Sequence, residues 1–393
     1  MNLQSLNTNI FHITIYSLFI YIFSGPLVTA GFIASAIYIL FSIKNYKLDL
    51  KDIGRDILIY LLAAFIAYLC ITNIWSIDKS RSFTTSIKAS VVILLLYYLW
   101  LKIPLLKLNF SDKYIINIFI ALNLVILFEH IFNFSITIFF RKLLNYDLNL
   151  RGPIDKATFL ITMLIPPILV NYYQKTWRYK LLIIIIVINY IIHPMLAASF
   201  ALIISWIVML GVIFYGRKFI VLFFSSLVTF IISAPLIYDY ILNLPIIIKL
   251  LTNLPLSWYY RIIMWQKASL MIKYRAFLGY GLNCSNSTND LDIFKNEVII
   301  ELHPHNMYLQ LWLELGAVGV LIFCILLTKI FMDITNNPDK KFQVSACGLV
   351  ATITVFALIS FGMWQSWVLC SIAIAVINLK IFKQNFIYYK PTI

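Results

Sequence analysis

Apolar residues run along this chain in long blocks separated by short polar interruptions. A helix needs about 20 mostly apolar residues to cross a bilayer. A loose count finds twelve such blocks, at 9–24, 26–43, 56–75, 83–101, 114–132, 157–173, 181–194, 198–215, 219–236, 305–328, 344–361 and 364–380. The pattern predicts an all-α, polytopic membrane helical bundle of about twelve spans. Between the ninth and tenth spans lies one long extramembrane segment, and connections of that length between helices are usually functional. The expected division is 1–236 for nine spans, 237–304 for the loop, and 305–393 for three spans and a tail.

Composition excludes the other classes. With 62% hydrophobic and 12% charged residues, the chain fits neither a soluble globular domain nor a disordered one. Its net charge of +15 is spread over many loops rather than gathered on one domain, so it gives an orientation and an affinity for anionic lipid, not a nucleic-acid surface. Short loops rich in Lys and Arg stay in the cytoplasm. Lys44, Lys47, Lys51 and Arg55, then Lys102, Lys107 and Lys113, then Lys175, Arg178 and Lys180, then Arg217 and Lys218, then Lys329, Lys340 and Lys341 fall on one side. Both termini are therefore expected in the cytoplasm and the 237–304 loop outside. The first apolar block has no basic leader or small-residue cleavage site, so it is expected to stay as a span. The five cysteines form no framework, no CxxC or HExxH spacing occurs, and no fixed-period repeat is visible. No cofactor is expected.

Chemistry concentrates around the outer loop. Leu256 to Arg275 has a helical pattern with Ser257 as its expected N-cap. Arg261, Trp265, Ala268 and Ile272 share one face of it. Gly279-Tyr280-Gly281 breaks the pattern, and Asp290, Asp292, Glu297 and Glu301 lie on the return. The segment ends at His303-Pro304-His305-Asn306. Pro304 suits the first turn of a helix, which would put His305 and Asn306 in that turn at the mouth of the tenth span. The N–H groups and partial positive charge there favour phosphate and a neutral imidazole, as a base beside an anionic substrate needs. Leu309, Trp312, Gly316, Gly319 and Phe323 would continue one face from His305, with the glycines allowing close helix packing. Glu314 lies unusually deep for a carboxylate. Simpler readings exist for each: Arg261 and Trp265 as interfacial anchors, His303 as a structural support, Glu314 as a paired structural carboxylate, Arg151 as an ordinary loop cation.

His305-Asn306, nine residues, then Gly316, Gly319 and Val320 resembles the signature of bacterial O-antigen ligases, within a wider ligase and polymerase superfamily. Arg261-Ile262-Ile263-Met264-Trp265 and Leu278-Gly279-Tyr280-Gly281-Leu282 precede it in the order and spacing of that family's outer loop. The specific part covers about 257–320. The resemblance implies a GT-C-like glycosyltransferase of the inner membrane, acting without a metal on the periplasmic face. Its donor would be a glycan on undecaprenyl diphosphate, its acceptor a lipid A-core sugar, and its outcome inversion. By position His305 matches the catalytic histidine, and Arg261 matches an arginine that grips the diphosphate. His303, Asn306, Trp265 and Glu314 would support them. The chain departs from the family where an arginine is expected near the eighth span: Ala198-Ser199-Phe200 places Phe200 there. Arg151, with Lys156 behind it, is the candidate substitute. An O-antigen polymerase is the alternative activity. A transporter of lipid-linked glycan or solute is the alternative class, for which broken helices in two related halves would be expected.

Overall fold

The computed structural model describes residues 56–102, 112–143, 151–173, 176–192, 195–246, 255–290, 300 and 302–388. The expected spans at 9–24 and 26–43 lie outside these residues, as do His193 and the loop carboxylates Asp292, Glu297 and Glu301.

Among the described residues the regular structure is helical: α1 (Ile57–Ile71), α2 (Lys79–Lys102), α3 (Asp112–Ile131), α4 (Ser135–Leu143), α5 (Arg151–Asn171), α6 (Trp177–Ile192), α7 (Leu196–Tyr215), α8 (Arg217–Leu242), α9 (Leu256–Tyr274), α10 (Met307–Thr335), α11 (Lys340–Ile359) and α12 (Ser366–Tyr388). Eight of them are long and apolar enough to cross a membrane, namely α1, α2, α3, α5, α7, α8, α10 and α11. The protein is thus an all-α, multi-pass membrane protein. The faces of α7 and α8 confirm the solvent they require. Ile203, Ile207, Ile213, Phe214, Val221 and Leu222 are all exposed on them, as lipid-facing residues of spanning helices are.

Helix ends are set by local chemistry. Asp56 Oδ1 accepts from Leu58 N at 2.9 Å to start α1, and Asp339 caps Lys341 N and Phe342 N to start α11. α9 begins one residue before the expected cap: Pro255 occupies the N-cap position, and Trp258 N and Tyr259 N bond to its carbonyl. α5 is the most enclosed span, packed against α11 and α12. α10 lies between α1, α8 and α9, and α8 also packs on α9. This arrangement gathers four connecting segments at one end of the bundle: the α1–α2 turn, the stretch after α9, the approach to α10, and the α11–α12 turn. Ile77 N bonds to Tyr280 O at 3.1 Å, Trp265 Nε1 to Pro304 O at 2.8 Å, and Met363 N to Gln310 Oε1 at 2.9 Å, which ties the four together.

Candidate active site

α10 does not begin at Pro304. Asn306 is its N-cap, in an extended conformation, with Oδ1 accepting from Tyr308 N at 3.1 Å and Leu309 N at 3.0 Å. His305 lies before the helix at φ +54, a left-handed conformation, so neither residue belongs to a first turn opened by proline. The physical reason is that an asparagine side chain satisfies two orphan helix donors, an interaction that Pro304 at the first turn would have displaced. Two of the N–H groups expected to attract phosphate are accordingly occupied. The amide of Asn306 also donates from Nδ2 to Tyr238 Oη at 2.7 Å, fixing the α10 mouth to α8.

The helix is also broken at Gly316, where φ is +62 and ψ −171, so the face expected from Leu309 to Phe323 is not continuous. A break inside a span leaves backbone groups that lipid cannot satisfy. Here each finds a protein partner. Tyr280 N and Gly281 N donate to Leu313 O and Glu314 O, both at 2.9 Å, and Tyr68 Oη donates to Leu315 O at 2.7 Å. Ala317 N and Val318 N donate to Ala276 O and Phe277 O at 2.7 and 3.3 Å. The Gly279 stretch therefore pairs with the break. Glycine is required on both sides, since a Cβ on Gly279 would fall 2.5 Å from the Glu314 carbonyl carbon and one on Gly316 would fall 2.6 Å from Gly279 N. Gly319 packs on α1, with Tyr68 Cε1 2.8 Å from where its Cβ would be.

Glu314 is fully buried just before this break. Its Oε1 accepts from Ser285 Oγ at 2.5 Å and Gln310 Nε2 at 3.0 Å; its Oε2 accepts from Asn283 N at 2.7 Å and Trp364 Nε1 at 2.5 Å. Four donors satisfy one carboxylate, so it clamps the Gly281 to Ser285 stretch and the α11–α12 turn to α10.

Above the clamp sit the two histidines, their ring centroids 4.4 Å apart. His305 is partly exposed, and its Nδ1 donates to Ser360 O at 2.6 Å. A carbonyl can only accept, so the neutral ring carries its proton on Nδ1 and its lone pair on Nε2. His303 is buried, with Nδ1 accepting from His305 N at 3.1 Å. Burial first, then the neighbouring His305 and Arg261, holds its pKa down to about 3, so it stays neutral. Trp265 is also buried, bonded to Pro304 O and edge-on to Tyr238 at 5.3 Å. Its indole thus ties α9 to the histidine segment.

Arg261 is half-buried on α9, its guanidinium 5.5 Å from the Trp258 ring centroid. Burial lowers its pKa, and its charge reaches His303. Among the described residues no carboxylate lies within ion-pair distance of it. Phe200 is half exposed on the outer face of α7 and brings no charge inward. Lys156, one turn into α5, stands 5.4 Å from the Trp367 ring in the first turn of α12, and so lies at the same end as Ser360. Arg151 is the first residue of α5; its side chain lies outside the described residues, as does that of Asp290.

Several contributors lay outside the sequence reading: Ser285, Trp364, Ser360, Tyr238 and Gln365. Gln310, four residues before Glu314, carried a helical-spacing signal. The others reach the site through the fold alone. Among the described residues no group of three His, Cys, Asp or Glu side chains is placed to hold a metal ion.

Residues 156–324 match the family model described as O-antigen ligase. That stretch contains Arg261, Trp265, both histidines, Asn306, Glu314, Gly316 and Gly319. A protein of Rickettsia typhi, named provisionally as a polysaccharide ligase, is 30% identical over 135 residues, 33% of each chain. A protein of the same provisional name in Rickettsia prowazekii is 30% identical over 135 residues, again 33% of each, and one in Rickettsia conorii is 31% identical over 117 residues, 28% of each. The chain spans about a third of the length of these curated relatives. Over this shared stretch the chain is similar to O-antigen ligases and to proteins named provisionally as polysaccharide ligases.

Proposed function

We propose that the protein is an O-antigen ligase-like glycosyltransferase that moves a glycan from undecaprenyl diphosphate to a sugar of the lipid A core. The observation that carries this reading is His305, whose neutral ring has its lone pair on Nε2, beside a His303 that feels the charge of the Arg261 guanidinium, which no described carboxylate neutralises. His305 Nε2 takes the proton of the acceptor hydroxyl as its oxygen attacks the anomeric carbon. The bond from that carbon to the diphosphate oxygen breaks, and the electron pair leaves with the diphosphate toward Arg261. Attack opposite the leaving group inverts the anomeric centre. A planar guanidinium binds such an anion with two parallel hydrogen bonds, so the step needs no metal in this reading. Lys156, and Arg151 at the start of the same helix, supply the second positive charge that Phe200 does not. The lysine and arginine bias of the short loops supports an inner-membrane protein with twelve spans and this end of the bundle in the periplasm.

The break at Gly316 is the feature that would favour a transporter, since transporters bind ions at exposed backbone of discontinuous helices. Here the freed groups around the break are taken by Ala276 to Gly281 and Tyr68, which leaves them no ion to coordinate. Deleting the gene and examining the surface lipopolysaccharide tests the proposal. Complete but uncapped core with accumulated lipid-linked polymer is the expected result. Core bearing a single repeat unit would identify a polymerase instead, and unchanged lipopolysaccharide would overturn both.

A further inference from the structure

His305 keeps a left-handed backbone without being a glycine, so other parts of the fold must hold it there. One holding contact is its own N–H, donated to His303 Nδ1; another is Nδ1, donated to Ser360 O. His303 is in turn held from its far side by the α11–α12 turn. A Cβ on Gly362 would fall 2.5 Å from His303 Cδ2, so the ring lies directly on that glycine. The Gln365 amide meets His303 Nε2 at 3.2 Å. Because His303 Nδ1 is an acceptor, a neutral His303 carries its proton on Nε2 and requires an acceptor there. Gln365 Oε1 is buried and otherwise unpartnered, and a half-turn of the amide brings it to that proton. The path from Gln365 to the candidate base thus runs through one imidazole with a defined tautomer.

We propose that Gln365 is a positioning residue for His305: it holds the His303 proton on Nε2, which keeps Nδ1 as the acceptor for the His305 backbone and so aims His305 Nε2. The role rests on the reading of His305 as the base. Gln365 and Gly362 lie beyond residues 156–324, so they are additions to the stretch that matches the ligase family. The arrangement works only while His303 is neutral, because a proton on Nδ1 removes the acceptor. Burial secures this in the native protein. A carboxylate at position 365 would favour the charged ring and undo it.

The test uses the full chain in nanodiscs, labelled with ¹⁵N-histidine, of which there are five to assign. Gln365→Leu and Gln365→Glu are compared with the unaltered protein by NMR and by transfer from a diphosphate-linked lipid glycan. Gln365→Leu is expected to shift the ring signals of both His303 and His305 and to lower kcat about 10- to 100-fold, the range for losing such a support, with KM for the donor unchanged. Gln365→Glu is expected to retain activity at high pH but to lose it on acidification at least one pH unit above the unaltered protein, with the His305 signal following the titration of His303. The His130 signal, whose ring bonds to Ile126 O, reports whether each variant is folded. If Gln365→Leu leaves the His305 signal in place, or the acid limb of Gln365→Glu coincides with that of the unaltered protein, the proposal is overturned. Should the unaltered protein transfer no glycan, the reading of His305 as a base falls instead, and the NMR comparison still decides whether Gln365 holds the two histidines.

Discussion

Two polar clusters lie in and just ahead of the first half of α10, and they differ in how completely the protein satisfies them. Around Glu314 the inventory is closed: four donors meet two carboxylate oxygens, with none of the carboxylate exposed. Around Arg261 and His305 it is open, since the half-buried guanidinium meets no described carboxylate. Both contain buried ionisable residues, Glu314 in one and His303 in the other, so burial alone does not separate structure from function. Satisfaction does. A closed cluster has no capacity left for a ligand, whereas a half-buried guanidinium with no described carboxylate beside it is the better candidate for a functional role.

Replacing His305 by Ala should have the largest effect, a loss of about 10²- to 10⁴-fold in glycan transfer, the range for removing a general base, with folded protein in the membrane unchanged. Normal transfer by that variant, measured with lipid-linked donor in nanodiscs, would remove His305 from the open cluster. Arg261→Lys keeps the charge but loses the planar fork, and should lower kcat/KM for the donor by about tenfold or more. If kinetics are unaltered, Arg261 is an interfacial anchor after all. Glu314→Gln belongs to the closed cluster and should act on stability instead. The amide offers one acceptor oxygen where the carboxylate offers two, so donors lose partners, at a cost of about 1–3 kcal/mol. Thermal unfolding in detergent measures it, and a catalytic loss without a fall in Tm would move Glu314 into the open group.

The smallest effect near neutral pH concerns His303. Its pKa falls from an ordinary 6.5 in the unfolded chain to about 3 in the fold. Below pH 6.5 the unfolded state therefore binds more protons than the folded one. The stability that this histidine contributes is complete above pH 6.5, declines as the pH falls, and is gone below about 3. Unfolding midpoints taken from pH 7 to pH 4 should drop, and His303→Gln should flatten that slope. An equal slope in both proteins would show that His303 is protonated freely in the fold.

The helical layout was legible because each span must carry its own apolar surface and close its own hydrogen bonds, which writes span after span directly into composition. α2, α7 and α11 begin and end within a few residues of the blocks read from the chain. The start of α10 was not legible. Pro304 carries a genuine first-turn signal, and the stronger local interaction of the Asn306 cap overrode it. Gly316 was legible as a small residue but not as a break, because a helix opens only where another segment supplies replacement bonds, and Ala276 to Gly281 are some forty residues away in sequence.

Length, apolar blocks and lysine bias thus specify a multi-pass helical membrane protein, and the short motifs around Arg261, Gly279 and His305 carry its resemblance to O-antigen ligases and point to a candidate base and cation. The tertiary structure alone decided how these parts are held: that Gly279 pairs with the broken helix, that Glu314 is a saturated clamp, and that Ser360 and Gln365 fix the histidines from the far end of the chain. Local chemistry depends on neighbours along the backbone and can be read there. A hydrogen-bond partner supplied by a distant turn leaves no mark on the sequence beside the residue it holds.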